Sequence, residues 1–419
     1  MAPDPNAPES GRFIEPDIAG RLIPVFHSKI ERRSIMLEPD AGTRIEVALD
    51  RGWLHAIVRD AVEPVSEIEL ELKQGGPVAL YDLALDLLAV APMRLEMRSK
   101  GERGFLLAAN NTTPIKAVHA VPFALDPSLS GNEALRRIGT ACLMQIARNE
   151  PAVLAGLGEG IHQMRVAVRR LRALLSAFSK FLPKAERRAV SDELRWLANA
   201  LGPARNLDAF ETTLLEPAQK ALTDAPGIGE LATAAERGRR AAFAKAGRAV
   251  RSMRYTRLLL HQFRWFEGCL WEAAEEAQDL RHAVGAIAGR VLERRHKTAR
   301  RNSKGFAGQS AAERHRLRIA LKKLRYTTEL LSALYNSADI ERFIRRLKRL
   351  QDHLGEANDV RVAHDLVGEL IKADPAAPAI TEAAEAVLEW SEHRLAEREP
   401  KLRKAVHRLA KADPFWTEG

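Results

Sequence analysis

The sequence predicts a mainly α-helical protein: two similar helical bundles behind a small N-terminal α+β domain. Three observations carry that reading. The stretch IHQMRVAVRRLR (161–172) returns 153 residues later as RHRLRIALKKLR (314–325). It pairs His162 with His315, Arg165 with Arg318, Arg169 with Lys322, Arg170 with Lys323 and Arg172 with Arg325. A second match keeps the same offset, Leu201-Gly202 in LANALGPARNLD against Leu354-Gly355 in LQDHLGEANDVR, so a unit of about 150 residues is duplicated. Beyond Gly131 the apolar residues recur with helical period, whereas residues 22–107 alternate as strands do.

The elements follow in order. Residues 1–20, rich in Pro, Asp and Gly, read as a loose arm. Residues 21–110 read as the α+β domain, with strands Ser34–Leu37, Arg44–Leu49, Trp53–Val58 and Glu67–Lys73 broken by Pro-Asp, Asp-Arg-Gly and Gly-Gly turns, and one helix over Val78–Ala89. Residues 111–130, carrying Pro114, Pro122 and Pro127, read as a linker. The helical region spans 131–412, divided into bundles at 131–268 and 276–412. Its expected helices are 131–149, 160–181, 184–200, 206–223, 229–267 with a break near Ser252, 276–300, 310–334, 338–354, 358–373 and 377–411. Both Leu-Gly pairs read as helix ends. The residues after them, Asn206, Asp208, Asn358 and Asp359, read as N-caps in preference to ligand contacts.

With 419 residues, 46% hydrophobic and 29% charged, the chain is long and apolar enough for true cores. A net charge of +10 points to phosphate-rich partners or anionic surfaces. Only 5% of residues are aromatic, a poor supply for gripping single-stranded nucleic acid by base stacking, and no base-reading motif is present. Cys142 and Cys269 form no CxxC pattern and read as buried thiols of a reducing compartment. No apolar run approaches the roughly 20 residues that span a bilayer, and the start, MAPDPNAPESG, is polar. The expectation is a soluble cytoplasmic protein with no membrane partner.

On a helical wheel of about 100° per residue with His162 at zero, Arg169 falls roughly at −20°, Arg165 at −60° and Arg172 at −80°. Met164, Val168, Leu171, Leu175 and Phe178 take the opposite side. In the second copy His315, Arg318, Lys322 and Arg325 share one face, and Leu317, Leu321, Leu324 and Leu331 the other. Each helix anchors by its apolar side and displays a cationic row roughly 15 Å long, at about 1.5 Å per residue. A chain of phosphates uses such a track; a single phosphate does not. Arg offers a planar fork of donors to phosphate oxygens, Lys a compact charge, and protonated His two donors. Neither stretch interleaves an acid, and both histidines lie away from the apolar arc, which favours a polyanion site over a solvated face or a core role. A later helix adds Arg342, Arg345, Arg346, Lys348 and Arg349, with Arg195 at the position matching Lys348.

The motif HxxRxxxRRLR at His162–Arg172, its second form HRLRIALKKLRY at His315–Tyr326, and LGPARNLD at 201–208 resemble the CHAD domain, the conserved-histidine α-helical domain, over about residues 130–412. The resemblance implies two pseudo-symmetric four-helix bundles with a basic surface or pore that binds inorganic polyphosphate. The binding set it implies is His162, Arg165, Arg169, Arg170 and Arg172 with His315, Arg318, Lys322, Lys323 and Arg325, joined by Arg195, Arg205, Arg345, Lys348 and Arg349. The segments RLIPVFHSKIERR (21–33), RIEVALDRG (44–52), EIELELKQG (67–75) and SKGERGF (99–105) resemble the second half of a CYTH, or triphosphate tunnel, domain. Glu69, Glu71 and Lys73 spell ExExK there, on one strand face with Glu67, and are read as a charged solvent face in preference to a metal site. The expectation is a non-enzymatic polyphosphate-binding protein, needing no cofactor or resident metal and recruited to polyphosphate granules. The alternatives are metal-dependent triphosphate hydrolysis by the N-terminal region and general nucleic-acid binding.

Overall fold

A computed structural model describes residues 23–109, 115–121, 124–335, 337–373, 378–410 and 414–417; the expected arm at 1–20 and parts of the linker lie outside them. The chain divides into two compact units, Met1–Lys116 and Ala117–Gly419.

In the first unit an antiparallel meander runs β1 (Phe26–Asp40), β2 (Thr43–Ala56), β3 (Ala61–Gln74). Asp40 makes the first turn by accepting from Gly42 N at 2.9 Å and Thr43 Oγ1 at 3.1 Å. The expected strands 44–49 and 53–58 are one strand, so Asp50-Arg51-Gly52 is no turn. The physical reason is close approach of β1. A Cβ on Gly52 would stand 1.9 Å from the Lys29 carbonyl oxygen, and Asp50 is buried against Arg32 of β1. Helix α1 (Pro77–Val90) stands where expected. Helix α2 (Lys100–Ala108) was not foreseen, although Ser99 caps it by accepting from Glu102 N at 3.1 Å, an S-x-x-E start signal. Gly104 seats α2 against the Phe26 ring.

The second unit is helical: α3 (Gly131–Arg148), α4 (Glu150–Leu154), α5 (Gly158–Ala177), α6 (Lys184–Phe210), α7 (Glu216–Ala221), α8 (Ile228–Val250), α9 (Met253–Glu267), α10 (Val284–Ser303), α11 (Ala311–Leu330), α12 (Ser337–Ala373) and α13 (Pro378–Ala410). Helices α3, α5, α6 and α8 pack in succession, and α10, α11, α12 and α13 repeat the arrangement. Across the two copies α5 meets α11, α6 meets α12 and α8 meets α13. Starts of equivalent helices, Gly131 and Val284, Gly158 and Ala311, Lys184 and Ser337, keep the 153-residue offset. Ser130 and Ala283, equivalent by that offset, pair with each other in an antiparallel bridge. This bridge separates a 3-10 turn (Glu275–Arg281) from α10, where one helix over 276–300 was expected.

Neither Leu-Gly pair ends a helix; α6 and α12 run through them. A helical glycine costs only about 1 kcal/mol, less than the packing of long amphipathic faces returns. At Gly202 a Cβ would stand 3.5 Å from Arg165 Nη1, in ordinary contact, so this position tolerates the helix without strain. The break near Ser252 is present, and Ser252 caps α9.

Each bundle also carries an aromatic pair with no counterpart in the motif analysis. Trp265 and Phe266 meet edge to face at 4.8 Å, as do Phe415 and Trp416. Phe266 fills the space above Gly139 of α3, and Trp416 lies beside Gly289 of α10. Trp265 Nε1 donates to Glu186 at 2.9 Å and Trp416 Nε1 to Glu293 at 3.1 Å. Cys142 is buried and Cys269 partly so, both as free thiols that burial pushes up to about 11. Gly139→Val, whose Cβ would enter the Phe266 ring, is expected to cost about 2 kcal/mol or more in a denaturant melt. Gly229→Ala, with open space around it, is expected to cost nothing.

Candidate polyanion site

Helices α5 and α11 lie side by side, and their cationic rows face one groove of about 690 Å³. His162, Arg165 and Arg169 come from α5, Arg205 and Asn206 from α6, Arg318, Lys322 and Arg325 from α11, and Arg394 and Arg398 from α13. Wheel geometry left open whether the two rows share a space; they do. The lining holds eight Arg or Lys side chains against three acids, Asp352, Glu356 and Asp359, all on α12.

Some of these cations are tied down. Arg165 Nη1 donates to the Ala198 carbonyl at 2.6 Å, next to the Asn199 carbonyl that Pro203 cannot serve. Arg205 pairs with Asp208 at 2.9 Å. Arg325 Nε donates to Gln351 Oε1 at 2.8 Å, its Nη1 meets Glu329 at 3.0 Å, and its guanidinium lies 4.5 Å over the Tyr326 ring. Several individual donor atoms here are unmatched. His162 Nδ1, Arg165 Nε and Arg318 Nε are buried without a hydrogen-bond partner. Burial, and then neighbouring Arg318 and Arg169, push the Lys322 ammonium down to about 7. Burial pushes Arg165 down to about 10, with Arg169 and Arg205 adding repulsion. His162 and Arg318 are lowered mainly by burial, and burial raises the Asp359 carboxyl. Positive charge is crowded and partly desolvated here, a state that a bound anion relieves.

The other expected residues fall elsewhere. Arg172 lines a recess of about 480 Å³ that continues the groove beside Arg165 and Arg169. His315 lines a second cavity of about 590 Å³ with Arg314, His353 and Arg361; it adjoins the groove through Arg318, Asn358, Leu395 and Arg398. Arg170 is buried on the side of α5 that faces Cys142 of α3 and does not line the groove. Lys323 is exposed and lies near Arg295 and Arg172. Arg195 pairs with Asp192 at 2.8 Å and Arg345 with Glu341 at 3.2 Å; these two, Lys348 and Arg349 are exposed outside the groove. Asn206, Asp208, Asn358 and Asp359 are not caps, because their helices do not start there. Asn206, Asn358 and Asp359 line the groove, and Asp208 partners Arg205. Tyr326, Gln351, Arg394 and Arg398 were outside the expected binding set, although Tyr326 is the last residue of the second motif.

In the N-terminal unit, Asp50, Glu67 and Glu69 bring carboxylate oxygens within 4.8 Å of one another. Lys100 Nζ of α2 sits among all three, at 2.6, 2.5 and 2.5 Å. Arg32 binds Asp50 and Glu69, and Arg103 meets Glu67 at 2.6 Å and Glu63 at 2.8 Å. The Arg32 guanidinium and Lys100 hold the Asp50 carboxyl down to about 2. An ammonium stands where a divalent cation would stand, so the cluster is a neutralised ion network and does not fit a metal as built. Glu71 and Glu46 pair instead with Lys73, at 2.8 and 2.9 Å.

The depressed Lys322 ammonium makes stability depend on pH. Between about 7 and 10.5 the unfolded chain holds the proton that the folded chain lacks, so this residue's contribution to stability rises with pH through that window and is poorest below 7. Lys322→Met is expected to stabilise the fold by roughly 1–2 kcal/mol near pH 6 and by less at pH 10, measured by thermal melts at both.

The family model of the CHAD domain matches residues 137–368. The crystal structure of the CHAD domain from the plant Ricinus communis superposes with a TM-score of 0.61 at 31% identity, covering 70% of this chain and 96% of that one. PptA from Streptomyces chartreusis shares the fold, with a TM-score of 0.50 at 17% identity over 67% of this chain and all of that one. An uncharacterised protein of Mycobacterium tuberculosis is 29% identical over 235 residues, 54% of this chain and 43% of that protein. In its N-terminal part the chain is 34% identical over 88 residues to an inorganic triphosphatase of Haemophilus influenzae, 21% of this chain and 24% of that enzyme. The chain thus spans less than half the length of these curated relatives. On the family match and the Ricinus structure together, the chain belongs to the CHAD-domain family.

Proposed function

We propose that the helical unit binds inorganic polyphosphate in the groove between α5 and α11, without chemistry, and that this recruits the protein to polyphosphate granules. The observation that carries the reading is the convergence of Arg165, Arg169, Arg205, Arg318 and Lys322 on one space, with buried donors on His162, Arg165 and Arg318 left unmatched. Unpaired buried donors are costly, and a line of phosphate oxygens satisfies several at once. The two rows repeat their cations along each helix, which suits a repeating anion better than a compact one. Among the described residues no helix is long and apolar enough to cross a membrane.

A second reading rests on the stretch shared with the triphosphatase: metal-dependent hydrolysis of triphosphate in the N-terminal unit. It requires displacing Lys100 from Asp50, Glu67 and Glu69. Phosphate release from triphosphate with Mg²⁺ or Mn²⁺, lost in Glu69→Gln/Glu71→Gln, would establish it.

Calorimetric titration with long-chain polyphosphate tests the first reading. Wild type is expected to bind, with affinity falling steeply as salt rises through counterion release. Arg165→Ala/Arg318→Ala is expected to lose about a hundredfold or more while still folding. No binding by wild type, or equal affinity for duplex DNA at equal phosphate concentration, would overturn it.

Binding should also take up a proton. Lys322 is mostly neutral at pH 8 in the free protein, and adjacent phosphate raises its proton affinity, so binding tightens as pH falls from 8 to 6. At pH 8 the binding enthalpy is expected to vary with the ionisation enthalpy of the buffer, and this variation is expected to shrink in Lys322→Met.

A further inference from the structure

The two halves of the groove differ in charge at equivalent positions. On α12 stand Asp352, Glu356 and Asp359; at the matching positions of α6 stand Asn199, Pro203 and Asn206. All six line the groove or the recess that continues it. The spacing puts the three acids in one stripe along α12. Asp359 lies within electrostatic reach of Arg318 and Lys322. Glu356 is ion-paired with Arg398 of α13. Arg398 lines both the groove and the second cavity holding His315, so the pair stands where the two spaces adjoin.

We propose that this acid stripe is a staging element: it leaves the α5/α6 half for first engagement of the polyanion and sets an electrostatic cost on passage into the His315 cavity, a cost met only by a chain long enough to reach it. The inference rests on the polyphosphate reading above. Carboxylates beside a phosphate repel it, and the repulsion is least screened at Asp359, whose carboxyl burial already raises. Asn199, Pro203 and Asn206 impose no such repulsion, and Asp208 of α6 is held by Arg205, so the α6 side accepts phosphates first. Glu356 and Arg398 are each about 39% exposed, and an ion pair of that kind is weak. Consecutive phosphates of one chain, delivered at high effective concentration, outcompete Glu356 for Arg398 and continue toward His315 and Arg361. A triphosphate held among Arg165, Arg169 and Arg205 does not reach that far.

The test is Asp352→Asn/Glu356→Gln/Asp359→Asn in the full chain, beside a charge-matched control, Glu382→Gln/Glu385→Gln/Glu389→Gln, on the exposed side of α13. The probes are long-chain polyphosphate and inorganic triphosphate. Relative to the control, the stripe variant is expected to gain about tenfold or more for the long chain, with a steeper salt dependence, and little for triphosphate. A gain no larger than the control's, or one equal for both probes, would overturn the proposal. Placing the stripe on the other half, Asn199→Asp/Asn206→Asp, is expected to weaken both probes; unchanged binding there would also overturn it. Absence of wild-type binding sinks the polyphosphate reading itself, whereas wild-type binding with a stripe variant that matches the control sinks only the stripe.

Discussion

The structure depends on holding like charges together. Helices α5 and α11 pack against each other while α5 turns His162, Arg165 and Arg169, and α11 turns Arg318, Lys322 and Arg325, into the same groove. Repulsion between Arg169, Arg318 and Lys322, added to desolvation, opposes that arrangement. What opposes the repulsion is the other face of each helix. Met164, Val168 and Leu171 on one, and Leu317, Leu321 and Leu324 on the other, are wholly buried. Apolar burial at about 25 cal/mol per Å² over such faces outweighs the electrostatic cost. The groove is therefore a region of stored unfavourable charge inside a well-packed scaffold, in keeping with a general trade between stability and a preorganised binding site.

The remaining parts fix this geometry from outside. Ser130 and Ala283 tie the first helices of the two bundles at equivalent positions. The pairs Trp265–Phe266 and Phe415–Trp416 seat on Gly139 and beside Gly289, locking the ends of the chain's two copies to α3 and α10. Arg295 of α10 reaches Ser176 of α5 at 2.8 Å, a further bond between copies. The N-terminal unit follows a different rule. Its carboxylates are matched by Arg32, Lys100 and Arg103, so charge there is closed, whereas in the helical groove it is open.

What the sequence made legible was what lies within one helix. The rows on α5 and α11, their apolar backs and the duplication are all short-range patterns, and the bundles followed from them. The wheel also held information that the motif resemblance overrode: Arg170 is about 100° from Arg169, and it is buried toward α3. Residues brought in by a distant helix were not legible. Arg398 and Arg394 enter the groove because of where α13 lies against α12, which no local pattern encodes. Leu-Gly was misread as punctuation because local propensity is weaker than the packing of a 37-residue helix such as α12. Helix α2 was passed over because it is nine residues long, below the length at which periodicity speaks.

The bridge between Ser130 and Ala283 has a consequence for how such a chain arises. Residues related by the duplication bond to each other, which is what happens on the axis of an isologous pair. A polypeptide holding a single copy would present a surface complementary to itself, and its groove would exist only at concentrations where two molecules meet. Joining the copies in one chain makes the assembly independent of concentration. It also frees each half to vary alone, something an identical pair cannot do.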